Sequence, residues 1–430
     1  MNKKRSRMVG LAFCFALSAV ALSCSVLSPI AWSPDGRWVA LIRPVLEKGP
    51  GQDEWTLKGT QLWIVSRSPA ERHRLLSTSG TLSGPAWASD SKSVYVVDLS
   101  DEKRTAAVCQ VSIEGKRREI ARFDSVQEIG GVARVAPAVS PDGRHIAFAR
   151  DKTSVVVATA AGQVVRQIEA EEPVSLAWSP DGQRLAVVAS GDEQRASVRI
   201  LDVKSGQAKP LDARYRTMAW LPDGKRLVAL RKEGDGAHAA LLEAGADARE
   251  IAGFALGFET DHPLVPAPDG KTIYVARHGG PQLYAIFRLD LESGRAGLVY
   301  ESPGAIVPWA LSPDGKTLAF RESAAGEGIS GESVVGLLDL DKPSEPTYLA
   351  VDDAQLAMVV QDFAHALQAM ASAGMDSEDK KVALRSVARA ERLIAAFQRD
   401  FPRSRLLQES VRALRIARQA LQAAQPGIFN

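Results

Sequence analysis

The chain has 430 residues, with 53 Lys and Arg against 51 Asp and Glu, and is 45% hydrophobic and 24% charged. This ordinary globular composition excludes a mostly disordered chain. A net charge of +2 carries no extended positive field, so no nucleic-acid partner is expected.

The first element reads as a targeting segment. Lys3, Lys4, Arg5 and Arg7 precede an uncharged stretch from Met8 to Ile30 that is rich in small residues toward its end, the layout of a secretory signal. Val20-Ala21-Leu22-Ser23-Cys24 resembles a bacterial lipoprotein signal, which implies a leader over 1–24 and acylation of Cys24. It departs from the commonest form in having Ala21, not Leu, three residues before the Cys. Ala19-Val20-Ala21 is an alternative cleavage site that would release a soluble periplasmic protein, and the uncharged stretch is also long enough to span a bilayer uncleaved. The expected address is the bacterial cell envelope, lipid-anchored and facing the periplasm, the outer membrane before the inner. Beyond Cys24 only Cys109 remains, so no intramolecular disulfide is expected and stability must come from a large core.

From residue 25 to 351 one motif recurs. Trp32-Ser33-Pro34-Asp35-Gly36 has counterparts around Asp90, Asp142, Asp181, Asp223, Asp269 and Asp314, at spacings of 55, 52, 39, 42, 46 and 45 residues. That period suits four short strands per unit. Within the turn, Pro presets φ, Asp accepts local backbone hydrogen bonds, and Gly takes the left-handed conformation. Apolar runs such as Trp38-Val39-Ala40-Leu41 and Leu318-Ala319-Phe320 follow each turn, as in strands covered on both faces. Second turns, such as Asp202 to Gly206 and Asp290 to Gly294, join a third strand to a fourth.

These units resemble TolB-type, WD-like propeller repeats with an S-P-D-G turn, over about Ser28 to Val351. The resemblance implies a mainly β fold, a seven-bladed propeller of four-stranded blades, and the partner-binding role of envelope scaffolds. The second copy is degenerate, with Ser91 in the glycine position, and the sixth begins with Ala267. Propellers that gate a serine peptidase carry a hydrolase domain with a G-x-S-x-G elbow. Here no such elbow occurs, and only about 80 residues follow the repeats. Each blade reads as contiguous, so ring closure is expected from packing between blades one and seven, with Trp32, Trp38 and Trp309 as contributors.

Alternating strand direction puts the S-P-D-G turns on one face and every long insertion on the other: Arg43 to Thr60, Phe123 to Arg134, Ala252 to Leu264, and Arg321 to Glu332. Long loops on a rigid scaffold carry recognition. Seven residues after the turn glycine stand Arg43, Arg150, Arg231 and Arg277, a candidate basic arc for carboxylate or phosphate groups. The alternative is pairing of each with a loop acid such as Glu47, Asp151 or Glu233. Trp55 in the longest loop and His262 beside Asp261 are further candidate contacts. The Trp residues three before the turn Asp read as interblade core. The six His residues show no metal-ligand spacing, and Gly326 to Gly331 opens no helix, so neither a metal nor a cofactor is expected.

From 352 to 430 the apolar period becomes 3.6. Leu356 to Met370, Val387 to Phe397 and Leu407 to Leu421 form three stripes, broken at Gly374 and at Phe401-Pro402. Ala390 to Leu421 resembles one tetratricopeptide-type helical hairpin, and three helices read as a small C-terminal bundle bracing the blade one/seven seam. The last stripe carries Arg403, Arg405, Arg412, Arg415 and Arg418 against Glu409, a basic side for a partner or lipid surface. The expected function is a non-enzymatic scaffold with an envelope protein partner and a membrane anchor. The alternative is a small-ligand or glycan module on the loop-bearing face, and a propeller enzyme is the remaining reading.

Overall fold

The structure, a computed structural model, describes residues 30–48, 55–67, 71–100, 105–124, 135–189, 197–211, 215–233, 236–244, 250–255, 263–278, 284–324, 332–343, 345–373 and 375–429. They form seven four-stranded antiparallel sheets, each of four consecutive strands, followed by three helices. Blade one runs from Ile30 to Thr78 and blade seven from Ala305 to Leu349, with no strand exchanged between them. Blade two (Thr81 to Asp124) is as regular as the rest, with Ser91 taking the left-handed conformation at φ 59°.

The S-P-D-G motif closes more than a local turn. Ser33 Oγ donates to Asp35 Oδ1 at 2.5 Å and accepts from the Trp38 amide at 2.8 Å, while Asp35 Oδ1 accepts from the Arg37 amide at 3.0 Å. The same bonds recur at Ser140 and Asp142 and at Ser179 and Asp181. Each turn glycine then abuts the preceding blade's turn: Gly182 meets Pro141, Gly224 meets Pro180, Gly270 meets Pro222 and Gly315 meets Pro268. Gly36 against Pro313 completes the circle from blade seven to blade one. At Gly315, with φ at +70°, a methyl group would also stand 2.6 Å from Pro268, so both backbone conformation and neighbour demand glycine.

Strand alternation divides the apolar runs between two seams. In blade one Val39 and Leu41 face blade seven, packing with Ile30, Trp32, Ala319, Val335 and Leu349. Trp38, Ala40 and Ile42 face blade two. Trp38 therefore belongs to the first seam and not to ring closure, whereas Trp32 and Trp309 do lie at the closure.

The motif tryptophans are buried between blades, and they also staple them. The indole N–H of Trp87 donates to Ala31 O at 2.9 Å, that of Trp178 to Ala138 O at 2.9 Å, and that of Trp220 to Ala177 O at 3.0 Å. Trp178→Phe removes the part-buried donor to Ala138 O and is expected to cost about 1 kcal/mol, read as a lower urea midpoint. At the closing seam the Trp32 and Trp309 indoles are buried without a hydrogen bond. There Arg67 of blade one bridges to blade seven, 3.1 Å from Asp314 Oδ2 and donating to Thr317 Oγ1 at 2.6 Å.

The helices are α1 (Asp353–Ala373), α2 (Ser377–Asp400) and α3 (Arg405–Ala424). Asp352 caps α1 by accepting from the Gln355 amide at 2.9 Å, Asp376 caps α2 by accepting from the Asp379 amide at 2.9 Å, and Ser404 caps α3. Leu356, Val359, Val360, Phe363 and Leu367 of α1 form the centre of a core shared with α2, α3 and the outer strand of blade seven (Thr347–Leu349). That three-residue edge strand, apolar at Tyr348 and Leu349, is thereby covered, which removes an exposed pairing edge. Among the described residues no helix is long and apolar enough to cross a membrane.

Candidate functional site

The second strand of blade seven (Thr317–Ser323) ends on the loop-bearing face with Arg321 and Glu322, successive residues that point to opposite seams. Arg321 is 1% exposed and donates to Ile42 O of blade one at 2.9 Å and to Ser333 Oγ at 3.1 Å. Glu322 is fully buried and accepts from Ser302 of blade six and from Tyr348 Oη at 2.5 Å. Arg389 of α2 lies with its Nε 3.0 Å from Glu322 Oε1 and donates to Tyr348 Oη at 2.5 Å. Gln355 of α1 donates to Ser333 O at 2.8 Å and accepts from the Val351 amide at 2.9 Å.

Ring and tail thus share a buried polar junction. Burial pushes the Glu322 and Glu332 carboxyls up to about 7, against the opposing pull of Ser302 and Tyr348 on the first and of Arg43 on the second. The same desolvation brings Arg389 down to about 9 and Arg321 down to about 10. Two further contacts extend the tail sideways: Arg385 pairs with Glu301 of blade six at 3.1 Å, and Arg72 of blade one reaches Asp400 at 3.6 Å and lies over the Phe401 ring at 4.4 Å. The tail thus contacts blade one through Arg43 and Arg72 and blade six through Glu301, with Glu322 bonded to Ser302 at the blade six/seven seam.

The four arginines of the basic arc do occupy one position, the sixth residue of the second strand in blades one, three, five and six, which in blade one is mid-strand. Arg43, however, is 7% exposed and committed: it pairs with Asp352, the cap of α1, and its Nε is 3.8 Å from Glu332. Its loop neighbour Glu47 pairs with Lys58 instead, at 3.8 Å. The position faces the preceding blade: in blade two it is Asp98, buried, accepting from Thr78 Oγ1 of blade one at 3.2 Å and 2.8 Å from Arg117 of its own blade. Arg150 is exposed, 3.5 Å from Gln167 Oε1, and Asp151 serves its own hairpin by accepting from the Thr153 amide at 2.8 Å. Arg231 is half-buried, in register between Tyr215 and His238. Arg277 is paired in register with Ala285, its side chain outside the described residues.

The longest insertion is largely strand. The second and third strands of blade one (Trp38–Lys48 and Trp55–Ser66) extend as a hairpin, with a register shift between Val45 and Leu46, out to Lys48 opposite Trp55. Trp55 is therefore a strand residue rather than a loop residue, and its side chain lies outside the described residues. His262, Cys24 and the segments 49–54, 125–134, 256–262 and 325–331 also lie outside them. Among the described residues no three His, Cys, Asp or Glu gather as a metal-ligand set.

Among the described residues, cavities open to solvent on both the ring and the tail. One, of about 430 Å³, sits beneath the turn rim between blades one and three, walled by Trp32, Trp87 and Val139. Trp32 and Trp87 are only 8% and 6% exposed and Trp87 spends its N–H on the seam, so neither offers a face for stacking a sugar. The other, of about 550 Å³, is a groove between α2 and α3 with Ile394, Val411, Leu414 and Phe429 along its floor.

No family model matches the chain, and no curated protein does. Solved structures do resemble it. The chain is similar to Kuenenia stuttgartiensis hydrazine synthase, 19% identical over 76% of this chain and 97% of that chain, with a TM-score of 0.51. It also resembles TolB from Acinetobacter baumannii, 18% identical over 62% and 64% of the two chains with a TM-score of 0.40. The β-propeller domain of the Trilobed protease from Pyrococcus furiosus is 12% identical over 72% and 93%, with a TM-score of 0.49. At 19% identity the likeness to hydrazine synthase is one of fold alone.

Proposed function

We propose that this chain is a non-enzymatic lipoprotein of the bacterial envelope, anchored through Cys24, whose propeller and helical tail serve as one protein-interaction platform. The observation that carries this reading is the buried junction of Arg43, Arg321, Glu322, Gln355 and Arg389, which fixes the tail and its open groove to the ring. A buried polar network of this kind specifies one geometry more than it adds stability. A platform that presents two surfaces in a set relation is what a scaffold requires.

The test is purification of the tagged chain from crosslinked, solubilised envelopes. A single protein recovered in near-stoichiometric amount supports the scaffold, and its absence at every crosslinker length overturns it. The intact mass of the membrane-fraction protein tests the anchor: a diacylglyceryl adduct on a chain beginning at Cys24 is expected, and an unmodified chain beginning at Leu22 contradicts it.

A further inference from the structure

The groove between α2 and α3 belongs to neither the ring core nor the ring–tail junction. Its α3 wall carries Val411, Leu414, Arg415, Arg418 and Gln422, residues at helical spacings of i, i+3, i+4, i+7 and i+11. At 1.5 Å per residue that stripe is roughly 16 Å long, about three turns of helix. The α2 wall presents Glu391, Ile394 and Gln398, at i, i+3 and i+7, so a ridge from each helix flanks a trough with Ile394, Val411 and Leu414 in it. Such a trough accepts the apolar stripe of a third helix.

Charge defines what that helix carries on its flanks. Arg405, Arg412 and Arg415 are exposed on α3 and form no ion pair among the described residues, and Glu409, the only acid on α3, forms none either. Arg418 pairs with Glu391 at 2.6 Å and stacks on Phe429 at 4.8 Å, leaving Arg415 as the uncompensated charge of the lining, with exposed Arg412 outside the lining and next to Val411 in the chain. A flat lipid surface meets the outer side of α3 but leaves the trough empty; a helix fills it.

We propose that the α2–α3 groove docks an acidic amphipathic helix of a partner protein, its apolar stripe on Ile394, Val411 and Leu414 and its carboxylates against Arg412 and Arg415. The proposal rests on the scaffold reading and names the partner's chemistry at one surface.

The test uses the full chain in nanodiscs of zwitterionic lipid and two fluorescein-labelled 18-residue helical peptides. Both carry leucines at i, i+3 or i+4 and i+7; one has glutamates on its flanks and the other lysines. The glutamate peptide is expected to bind at least tenfold more tightly. Arg412→Glu with Arg415→Glu, both at exposed positions, is expected to reverse the preference while circular dichroism and Tm stay unchanged. Equal affinity for the two peptides, or no saturable binding, overturns the proposal. So does a charge reversal that changes only binding to vesicles of mixed zwitterionic and anionic lipid, or only self-association of the chain. If the peptides fail while envelope crosslinking still recovers one protein, the groove assignment falls and the scaffold reading stands. If both fail, both fall.

Discussion

At pH 8, where the Glu322 carboxyl is ionised, Glu322→Ala is expected to lower the unfolding free energy by about 3–5 kcal/mol, because removing one partner of a buried ionic network leaves the others uncompensated. The groups stranded are Ser302 Oγ, Tyr348 Oη and the buried guanidinium of Arg389. Glu322→Gln keeps an acceptor and is expected to cost far less. The pH dependence separates the two roles of the carboxyl. The folded protein holds protons on Glu322 and Glu332, whose carboxyls burial pushes up to about 7, at pH values where the unfolded chain has released them. Stability therefore falls as pH rises from about 4.5 to about 7 and is level beyond, by up to about 3 kcal/mol for each carboxyl. Urea midpoints at pH 5 and pH 8 measure this, and in the doubly substituted Glu322→Gln, Glu332→Gln chain the difference is expected to vanish. The turn aspartates work the other way. The Ser312 hydroxyl first, then the Lys316 amide and Arg67, hold the Asp314 carboxyl down at about 2, so its contribution is lost only as pH falls below the ordinary carboxylate range.

Phe363→Ala is the second large effect, about 3–5 kcal/mol for emptying a fully buried aromatic site. Phe363 is 1% exposed at the centre of the tail core, and its ring tip faces Gly304, where an added methyl group would come within 3.1 Å of it. Gly304 immediately precedes blade seven, so the cavity opens on the contact between α1 and the ring. The expected result is a tail that separates from the ring before the ring unfolds, seen as cleavage near Val351 in limited proteolysis. Wild-type resistance in the variant contradicts this.

The blades were legible because each turn states itself locally: Ser, Pro, Asp and Gly in sequence specify the same hydrogen bonds wherever they occur. Ser91 tests the limit of that logic, since blade two keeps its turn by placing a serine in the left-handed region and lending its hydroxyl to the Asp35 amide at 3.0 Å. The helices were legible from their period and the breaks at Gly374 and Phe401-Pro402, and the contiguity of each blade from counting strands. What did not show was any contact set by distant residues. Trp38 and Trp32 look alike in sequence, and only strand alternation sends them to different seams. Arg43 and Arg150 hold equivalent positions, yet Arg43 finds the cap of a helix 309 residues away and Arg150 does not. Glu322, Tyr348 and Arg389 lie on a strand, an edge strand and a helix, and share no spacing that would announce a cluster. Trp55 read as loop because its flanks are rich in Gly, Asp and Glu, whereas pairing with Lys48 extends the hairpin to it.

A ring without strand exchange needs another closure. Here it is supplied by Gly36 on Pro313 and Arg67 at the turn face, and by Arg321, Arg43 and the tail at the other. Hydrogen–deuterium exchange on the full chain and on one ending at Ala350 tests this directly. Loss of the tail is expected to deprotect the second strand of blade one (Trp38–Lys48) and the second and third strands of blade seven (Thr317–Ser323, Ser333–Asp339) while blades three to five keep their protection. Unchanged protection at blades one and seven would contradict the account.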